Sequence, residues 1–285
     1  MDGSIRRRIP TAFIWRRVHS LLGLWLVLYL AEHLLVNSQA ALWIGDDGHG
    51  FVKLVNSLES LPYLQVIETV FIGVPLLVHG IWGIKRALTS KANSRSSDGS
   101  RPALNEYGRN HAYTWQRITS WILLFGIILH VVQMRFLNFP EEVELKGRQH
   151  YLVKVTKDEG LYSLAKRLGV SLYSGPELKE EASLSHLSLK TNQVLAAASS
   201  PGQAMLLSVR DTFKSPIMSV LYTIFVLAAA FHAFNGFWTF LITWGVILAF
   251  PAQKTMTKVS FAGILILSFL GLAAIWGSYW INLRT

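Results

Sequence analysis

Residues 217–241 form the stretch IMSVLYTIFVLAAAFHAFNGFWTFL. It contains no charged side chain over its 25 residues. An α-helix needs about 20 apolar residues to cross a hydrocarbon layer of about 30 Å. The stretch therefore predicts a membrane-spanning helix, and this helix carries one histidine, His232.

Four further apolar blocks have the same character, at residues 18–42, 64–84, 118–137 and 259–281. Each should be helical, because a lone strand would leave its backbone polar groups unpaired in lipid. The composition agrees, with 51% hydrophobic and 15% charged residues. We predict an all-α membrane protein of five transmembrane helices. We divide it into residues 1–139 with helices one to three, an external insertion at 140–214, and residues 215–285 with helices four and five.

Basic residues near the helix ends predict the orientation. The segment before helix one and the connections two-to-three and four-to-five together hold 14 Lys and Arg against three acids. The first connection has only Lys53, against Asp46, Asp47 and Glu59. We expect the N-terminus in the cytoplasm and the C-terminus outside. The net charge of +10 suits anionic lipid or an acidic partner subunit, and no recognition motif for nucleic acid accompanies it.

Two segments should lie outside the membrane. Residues 91–100 are polar and Ser-rich, which predicts a mobile cytoplasmic linker. In the insertion, the patterns at residues 151–156, 170–173 and 203–209 predict strands and that at 161–168 a helix. We expect a small α+β cap or, alternatively, an irregular loop, with His150 and His186 as solvated surface residues.

Four histidines occupy four successive apolar blocks: His33, His79, His130 and His232. An imidazole is costly in hydrocarbon, so one in each of four blocks suggests inward-facing groups with a shared task. Counted along the helices at 1.5 Å per residue, His33 and His130 lie in the outer half of the membrane and His79 and His232 in the inner half. Two pairs at matched depths are what two bis-histidine haems in a four-helix bundle require, and such haems carry out one-electron transfer. The chain has no cysteine, so any cysteine-held iron–sulfur cluster would belong to a partner.

Several stretches resemble one family, the five-helix dihaem cytochrome b membrane anchors of succinate dehydrogenases and quinol:fumarate reductases. They are RRVHSLLG (16–23), EHLLVN (32–37), WQRIT (115–119) continuing to His130, and FHAFNGFWTFLITWG (231–245). The resemblance covers all five helices in order, and the insertion is longer than expected for the family.

The resemblance implies a function for each pair. His79 and His232 would hold the haem b nearer an iron–sulfur subunit, and His33 and His130 the distal haem b. The partners would be a flavoprotein and an iron–sulfur subunit on the cytoplasmic side of a prokaryotic inner membrane. Electrons would pass to or from a membrane quinone, commonly menaquinone.

Residues at the membrane boundary then acquire candidate roles. Five at the cytoplasmic helix ends are candidates for binding haem propionates, with ordinary cationic anchoring as the alternative for the arginines: Arg16, Arg17, His19, Ser20 and Arg117.

Glu68 is a candidate proton carrier for quinone chemistry. It precedes His79 by 11 residues, which in a regular helix puts both within about 20° of one face. A buried, neutral carboxylic acid is the alternative for this residue.

Two other functions stay open at this level. The chain could be the cytochrome b of a hydrogenase or formate dehydrogenase, whose partner would oxidise another substrate. It could instead be a proton-coupled transporter with a relay of buried His and Glu. A visible spectrum separates the second alternative, because a transporter would be colourless.

Overall fold

The computed structural model describes residues 9–43, 45–90, 106–145, 147–180, 184 and 187–284. The predicted linker at 91–100 and His186 therefore lie outside the described residues. The helices are α1 (Thr11–Ser38), α2 (His49–Glu59), α3 (Leu64–Glu68), α4 (Val74–Thr89), α5 (Gly108–Val131), α6 (Glu159–Leu168), α7 (Gly175–Glu180), α8 (Pro201–Thr212), α9 (Pro216–Thr243), α10 (Phe250–Leu272) and α11 (Ser278–Arg284). The strands are β1 (Glu141–Leu145), β2 (Arg148–Thr156), β3 (Ser171–Tyr173) and β4 (Gln193–Ala198).

Five helical stretches in the described part of the chain are long and apolar enough to cross a membrane. They correspond in order to the five predicted blocks, and each extends beyond its block at one end or both, by one to ten residues. Their bounds are Thr11–Ser38, Leu64–Thr89, Gly108–Leu137, Pro216–Thr243 and Phe250–Leu283. The prediction of five candidate membrane helices is confirmed.

Three of these stretches contain a π-helical turn, at Thr69–Gly73, Val132–Leu137 and Ala273–Gly277. A π-turn closes hydrogen bonds from residue i to i+5, so it holds one residue more than an α-turn and rotates the rest of the helix by about 100°. Side chains on the two sides of such a turn therefore do not keep the angular relation of a regular helix.

The chain forms two compact units. The first consists of the described residues of Met1–Leu30, Gln65–Ile122 and Ala228–Leu265. The second consists of those of Ala31–Leu64, Leu123–Leu227 and Ile266–Thr285. His79 and His232 belong to the first unit, and His33 and His130 to the second.

The second unit contains an α+β subdomain made by residues 141–212. Its sheet has the strand order β1-β2-β4-β3, and every neighbouring pair is antiparallel. Helix α6 is capped at its start by Asp158, whose carboxylate accepts a hydrogen bond from Leu161 N at 2.7 Å. It is capped at its end by Gly169, whose φ of 68° suits glycine. Helix α8 begins in the same way at Ser200, with Pro201 in its first turn.

Both faces of this sheet are covered by apolar side chains. On one face, Val153 and Val155 pack with residues of α2, α6, α8 and the end of α1, such as Phe51, Leu164 and Leu206. The other apolar cluster consists of Leu145, Leu152, Leu178, Leu184, Leu195 and Ala197. Because the sheet is packed on both sides, the insertion is an ordered subdomain and the irregular alternative is wrong.

The local predictions in the insertion had mixed outcomes. The strands at 151–156 and 170–173 and the helix at 161–168 are confirmed, as parts of β2, β3 and α6. The strand predicted at 203–209 is wrong, since these residues lie inside α8. The cap formed by Ser200 and Pro201, a helix-start signal, outweighs the apolar content that suggested a strand. His150 lies on β2 and is half-buried.

Helix α8 ties the subdomain to the ends of the long helices within the second unit. Ser208 Oγ donates a hydrogen bond to Asn138 O at 3.2 Å, and Arg210 Nη2 donates to Ala40 O at 3.4 Å. Asn282 Nδ2 donates to Arg210 O at 2.8 Å. Arg210 is 5% exposed, and burial lowers the pKa of its guanidinium. These contacts make α8 the link between the sheet, α1 and α11.

Gly202 provides a test of this arrangement. A Cβ built on Gly202 would lie 2.6 Å from Val52 O, and the Gly202 N–H donates to Asn56 Oδ1 at 2.8 Å. We expect Gly202→Ala to lower the free energy of unfolding by about 1–3 kcal/mol, because α2 must move away from α8. Thermal unfolding of the purified full-length protein measures this loss.

Gly175→Ala is the matched control, because a Cβ at Gly175 meets no atom within 4 Å. It should leave the unfolding temperature within about 1 °C, consistent with the small effects of substitutions away from packed sites. Equal losses in the two variants would contradict the close α2–α8 contact.

Candidate functional site

His79 on α4 and His232 on α9 face each other in the first unit. Their ring centroids lie 6.3 Å apart, with ring planes at 78°. Both side chains are half-buried. The two imidazoles therefore border one small space between two apolar helices.

The hydrogen bonds of these two rings fix where their protons lie. His79 Nδ1 is 3.1 Å from His19 O, which can only accept, so Nδ1 carries the hydrogen. His232 Nδ1 is 3.3 Å from Thr119 Oγ1, whose hydroxyl donates to Trp115 O at 2.8 Å. Thr119 Oγ1 therefore accepts from His232. In a neutral imidazole this leaves the lone pair on Nε2 of both rings, and that is the form that binds metals.

His33 on α1 and His130 on α5 form the corresponding pair in the second unit. Their ring centroids are 5.8 Å apart, with ring planes at 84°. His130 Nδ1 lies 3.2 Å from the Tyr222 hydroxyl, which donates to Gln133 Oε1 at 3.1 Å. The hydroxyl thus accepts from His130, and the lone pair of His130 is again on Nε2.

The separation of the rings fits two imidazoles that share one metal ion. With a metal–nitrogen bond of about 2.0–2.1 Å, imidazoles on opposite sides of one ion have ring centres roughly 6–6.5 Å apart. The pair His79 and His232 is within this range, and the pair His33 and His130 is a few tenths of an ångström short of it. Among the described residues, no group of three or more His, Cys, Asp or Glu side chains could hold a metal. Each pair offers two imidazoles at a spacing that fits one metal ion.

His19 and Gly23, both on α1, contact His79 directly. The His19 ring stacks on the His79 ring, with centroids 4.0 Å apart and planes at 12°. A Cβ on Gly23 would lie 2.9 Å from His79 Cε1, so glycine is needed for the ring to lie against α1. His19 Nδ1 is buried and has no hydrogen-bond partner among the described residues. His19 therefore supports His79 through its backbone carbonyl and its ring.

The other boundary residues predicted from the sequence make different contacts. The Arg17 guanidinium lies 3.5 Å from the Phe13 ring centroid and donates to Thr243 O at 3.4 Å. Ser20 Oγ accepts from Trp244 Nε1 at 3.1 Å. These contacts join the beginning of α1 to the end of α9.

The remaining two predicted boundary residues lie apart from these contacts. Arg117 donates to Thr114 Oγ1 at 3.3 Å and lies over the Tyr113 ring at 4.7 Å. Arg16 is exposed and lines a surface cavity with Lys85 and Arg86.

Glu68 is the last residue of α3 and is half-buried in the first unit. The π-turn Thr69–Gly73 separates it from His79. The prediction that Glu68 and His79 share one helix face assumed a regular helix. This turn rotates Glu68 away from that face by about 100°. The role of Glu68 as a proton carrier stays a prediction.

Five polar residues support the histidines and were not predicted from the sequence: Gln116, Thr119, Gln133, Tyr222 and Asn235. Gln116 Nε2 donates to His232 O at 3.1 Å, and Asn235 Nδ2 donates to Gln116 Oε1 at 2.7 Å. Each of the five lies in a long apolar helical stretch, where a polar group is costly unless it is paired. The signal that identified the histidines, a polar side chain in an apolar helix, therefore also marks these residues.

The fold defines the class of protein: a multi-pass membrane protein with paired histidines inside its helices. No protein-family model matches the chain. It is 26% identical over 264 residues to the succinate dehydrogenase cytochrome b558 subunit of Bacillus subtilis (strain 168), an alignment that covers 92% of this chain and 95% of that relative. The resemblance to the cytochrome b membrane anchors of succinate dehydrogenases is thus confirmed.

Proposed function

We propose that the chain is the dihaem cytochrome b membrane anchor of a succinate:quinone oxidoreductase. It would transfer electrons between an iron–sulfur partner subunit and a membrane quinone. The observation that carries this proposal is the arrangement of two facing histidine pairs, in which His79, His130 and His232 donate Nδ1–H to a protein oxygen. The similarity to a cytochrome b558 subunit supports it.

Each histidine pair would hold one haem b through its Nε2 atoms. His79 and His232 are the ligands in the first unit, and His33 and His130 those in the second. The haem that each pair would hold supplies one-electron transfer. The task of the pairs is to hold the porphyrin between apolar helices.

The groups that accept from Nδ1 keep each ring in one orientation and one tautomer. They are His19 O for His79, Thr119 Oγ1 for His232 and the Tyr222 hydroxyl for His130. A hydrogen bond from the distal ring nitrogen also raises the basicity of the ligating nitrogen. These three acceptors therefore tune each site as well as position it.

The partners follow from the proposed class. A flavoprotein subunit would oxidise succinate, and an iron–sulfur subunit would connect it to this chain on the cytoplasmic side of a prokaryotic inner membrane. The excess of Lys and Arg at one set of helix ends supports a cytoplasmic N-terminus and an outside C-terminus. The quinone would be menaquinone, with Glu68 carrying its protons and with Arg17, Ser20 and Arg117 near the propionates.

Removing one ligand from each pair tests the two-haem assignment. We expect wild-type protein to contain two haem b groups per chain, and His33→Ala and His79→Ala each to retain one, because the remaining imidazole of the altered pair would hold its haem too weakly. Haem is counted by its pyridine haemochromogen spectrum per mole of protein. His150→Ala, on β2, is the control and should keep both haems. A colourless wild-type protein would refute the assignment.

Tyr222→Phe tests the tuning of the second site. Loss of the acceptor for His130 Nδ1–H should lower the basicity of the ligand and raise the potential of one haem by about 60 mV, which corresponds to a tenfold change for one electron. A redox titration followed by the visible spectrum measures both potentials. Thr119→Val, in the matched position beside His232, should raise the potential of the other haem. If either substitution shifted the potentials of both haems equally, the assignment of Tyr222 and Thr119 to separate haems would be wrong.

Glu68→Gln tests proton transfer to quinone. With both haems retained, we expect quinone-linked turnover of the assembled complex to fall roughly a hundredfold, since proton transfer by a positioned group contributes about 10²–10⁴. Glu32→Gln is the control and should keep full turnover, because Glu32 is exposed on α1. Full activity of the Glu68→Gln enzyme would remove this role.

A further inference from the structure

A cavity of ≈ 220 Å³ lies between α1 and α4 in the first unit. It is close to the residue where α1 begins and the residue where α4 ends. Three of its six lining residues are cations, and none is an acid: the residues are Ala12, Arg16, Trp82, Lys85, Arg86 and Thr89. Such a cavity attracts an anion, and it has room for a group much larger than a water molecule, which needs roughly 10–15 Å³.

The cavity lies at the level expected for lipid headgroups. Trp82 is seven residues before the end of α4, or about 10 Å at 1.5 Å per residue, and the other lining residues are closer to a helix end. The Trp82 ring stacks on Trp15 at 5.6 Å, and Lys85 Nζ lies 5.2 Å from its centroid. Tryptophan beside Lys and Arg at the end of a membrane helix is typical of the membrane–water interface.

An exposed apolar stripe runs along α4 from this cavity. Leu77, Ile81 and Leu88 are 64%, 68% and 70% exposed. Their spacing of four and seven residues puts them on one face of α4, and Lys85 shares this face. A cationic cavity that continues into an exposed apolar stripe matches a molecule with an anionic head and an apolar tail.

We propose that this cavity binds the phosphate group of an anionic phospholipid, whose acyl chains lie along Leu77 and Ile81. An acidic segment of a partner protein or a free phosphate ion would use the same cations, but neither has an apolar tail for the stripe. The assignment gives Arg16 a role in binding lipid phosphate, in place of the haem propionate contact expected from the sequence. It does not depend on the proposed electron-transfer function.

The test measures binding of individual lipids to the full-length protein in neutral detergent by native mass spectrometry. Phosphatidylglycerol should bind at one site more tightly than phosphatidylcholine does. Lys85→Gln/Arg86→Gln should weaken phosphatidylglycerol binding roughly tenfold to thirtyfold, since each basic residue near an anionic headgroup contributes about 1 kcal/mol. Phosphatidylcholine binding should not change.

Lys254→Gln/Lys258→Gln is the matched control, because it removes two exposed cations of α10. It should leave phosphatidylglycerol binding intact. Equal losses in the two double variants, or no loss in the first, would overturn the site. Inorganic phosphate should displace phosphatidylglycerol only when its concentration is more than a hundredfold above that of the lipid. Displacement by phosphate at the same concentration as the lipid would identify a free-anion site instead. Circular dichroism of the same samples measures folding. Their haem content tests the electron-transfer proposal separately.

Discussion

The N–H of a neutral imidazole in an apolar helix must be paired, and this requirement organises the candidate site. His79, His232 and His130 satisfy it with an oxygen from the same unit: a backbone carbonyl, a threonine hydroxyl and a tyrosine hydroxyl, respectively. Because each acceptor is fixed by its own hydrogen bonds or by the helix backbone, each ring has one orientation and one tautomer. The lone pair on Nε2 results from this pairing, and a neutral imidazole binds metals through such a nitrogen.

The insertion satisfies a different constraint, close packing on both faces of a small sheet. Ala196, Ala197 and Ala198 of β4 are at most 2% exposed, and β4 is a central strand between β2 and β3. Alanine has low strand propensity, and packing decides such positions more than propensity does. Small side chains let covering residues approach the sheet closely, which explains why a sequence such as QVLAAA forms a strand here.

Prediction from sequence succeeded where a long apolar block or a clear local pattern dominated. It failed where a helix cap, a π-turn or tertiary packing decided. The five apolar helices, β2, β3 and α6 agree with local pattern. Strands β1 and β4 had no such signal, because Glu141 and Glu142 are acidic and β4 ends in three alanines. The predicted orientation of Glu68 depended on regular helix geometry, and no sequence pattern predicted the π-turn at Thr69–Gly73.

The amino-acid sequence is enough to predict the five apolar helices with one histidine in each of four of them, because hydrophobic length and the cost of a buried imidazole can be read residue by residue. It also groups those histidines by depth. Helix packing, in contrast, sets which oxygen accepts each ring proton, why Gly23 must be glycine and how α8 joins the insertion to the helix ends. These features are contacts between residues far apart in the chain, and their geometry exists only after the helices have packed.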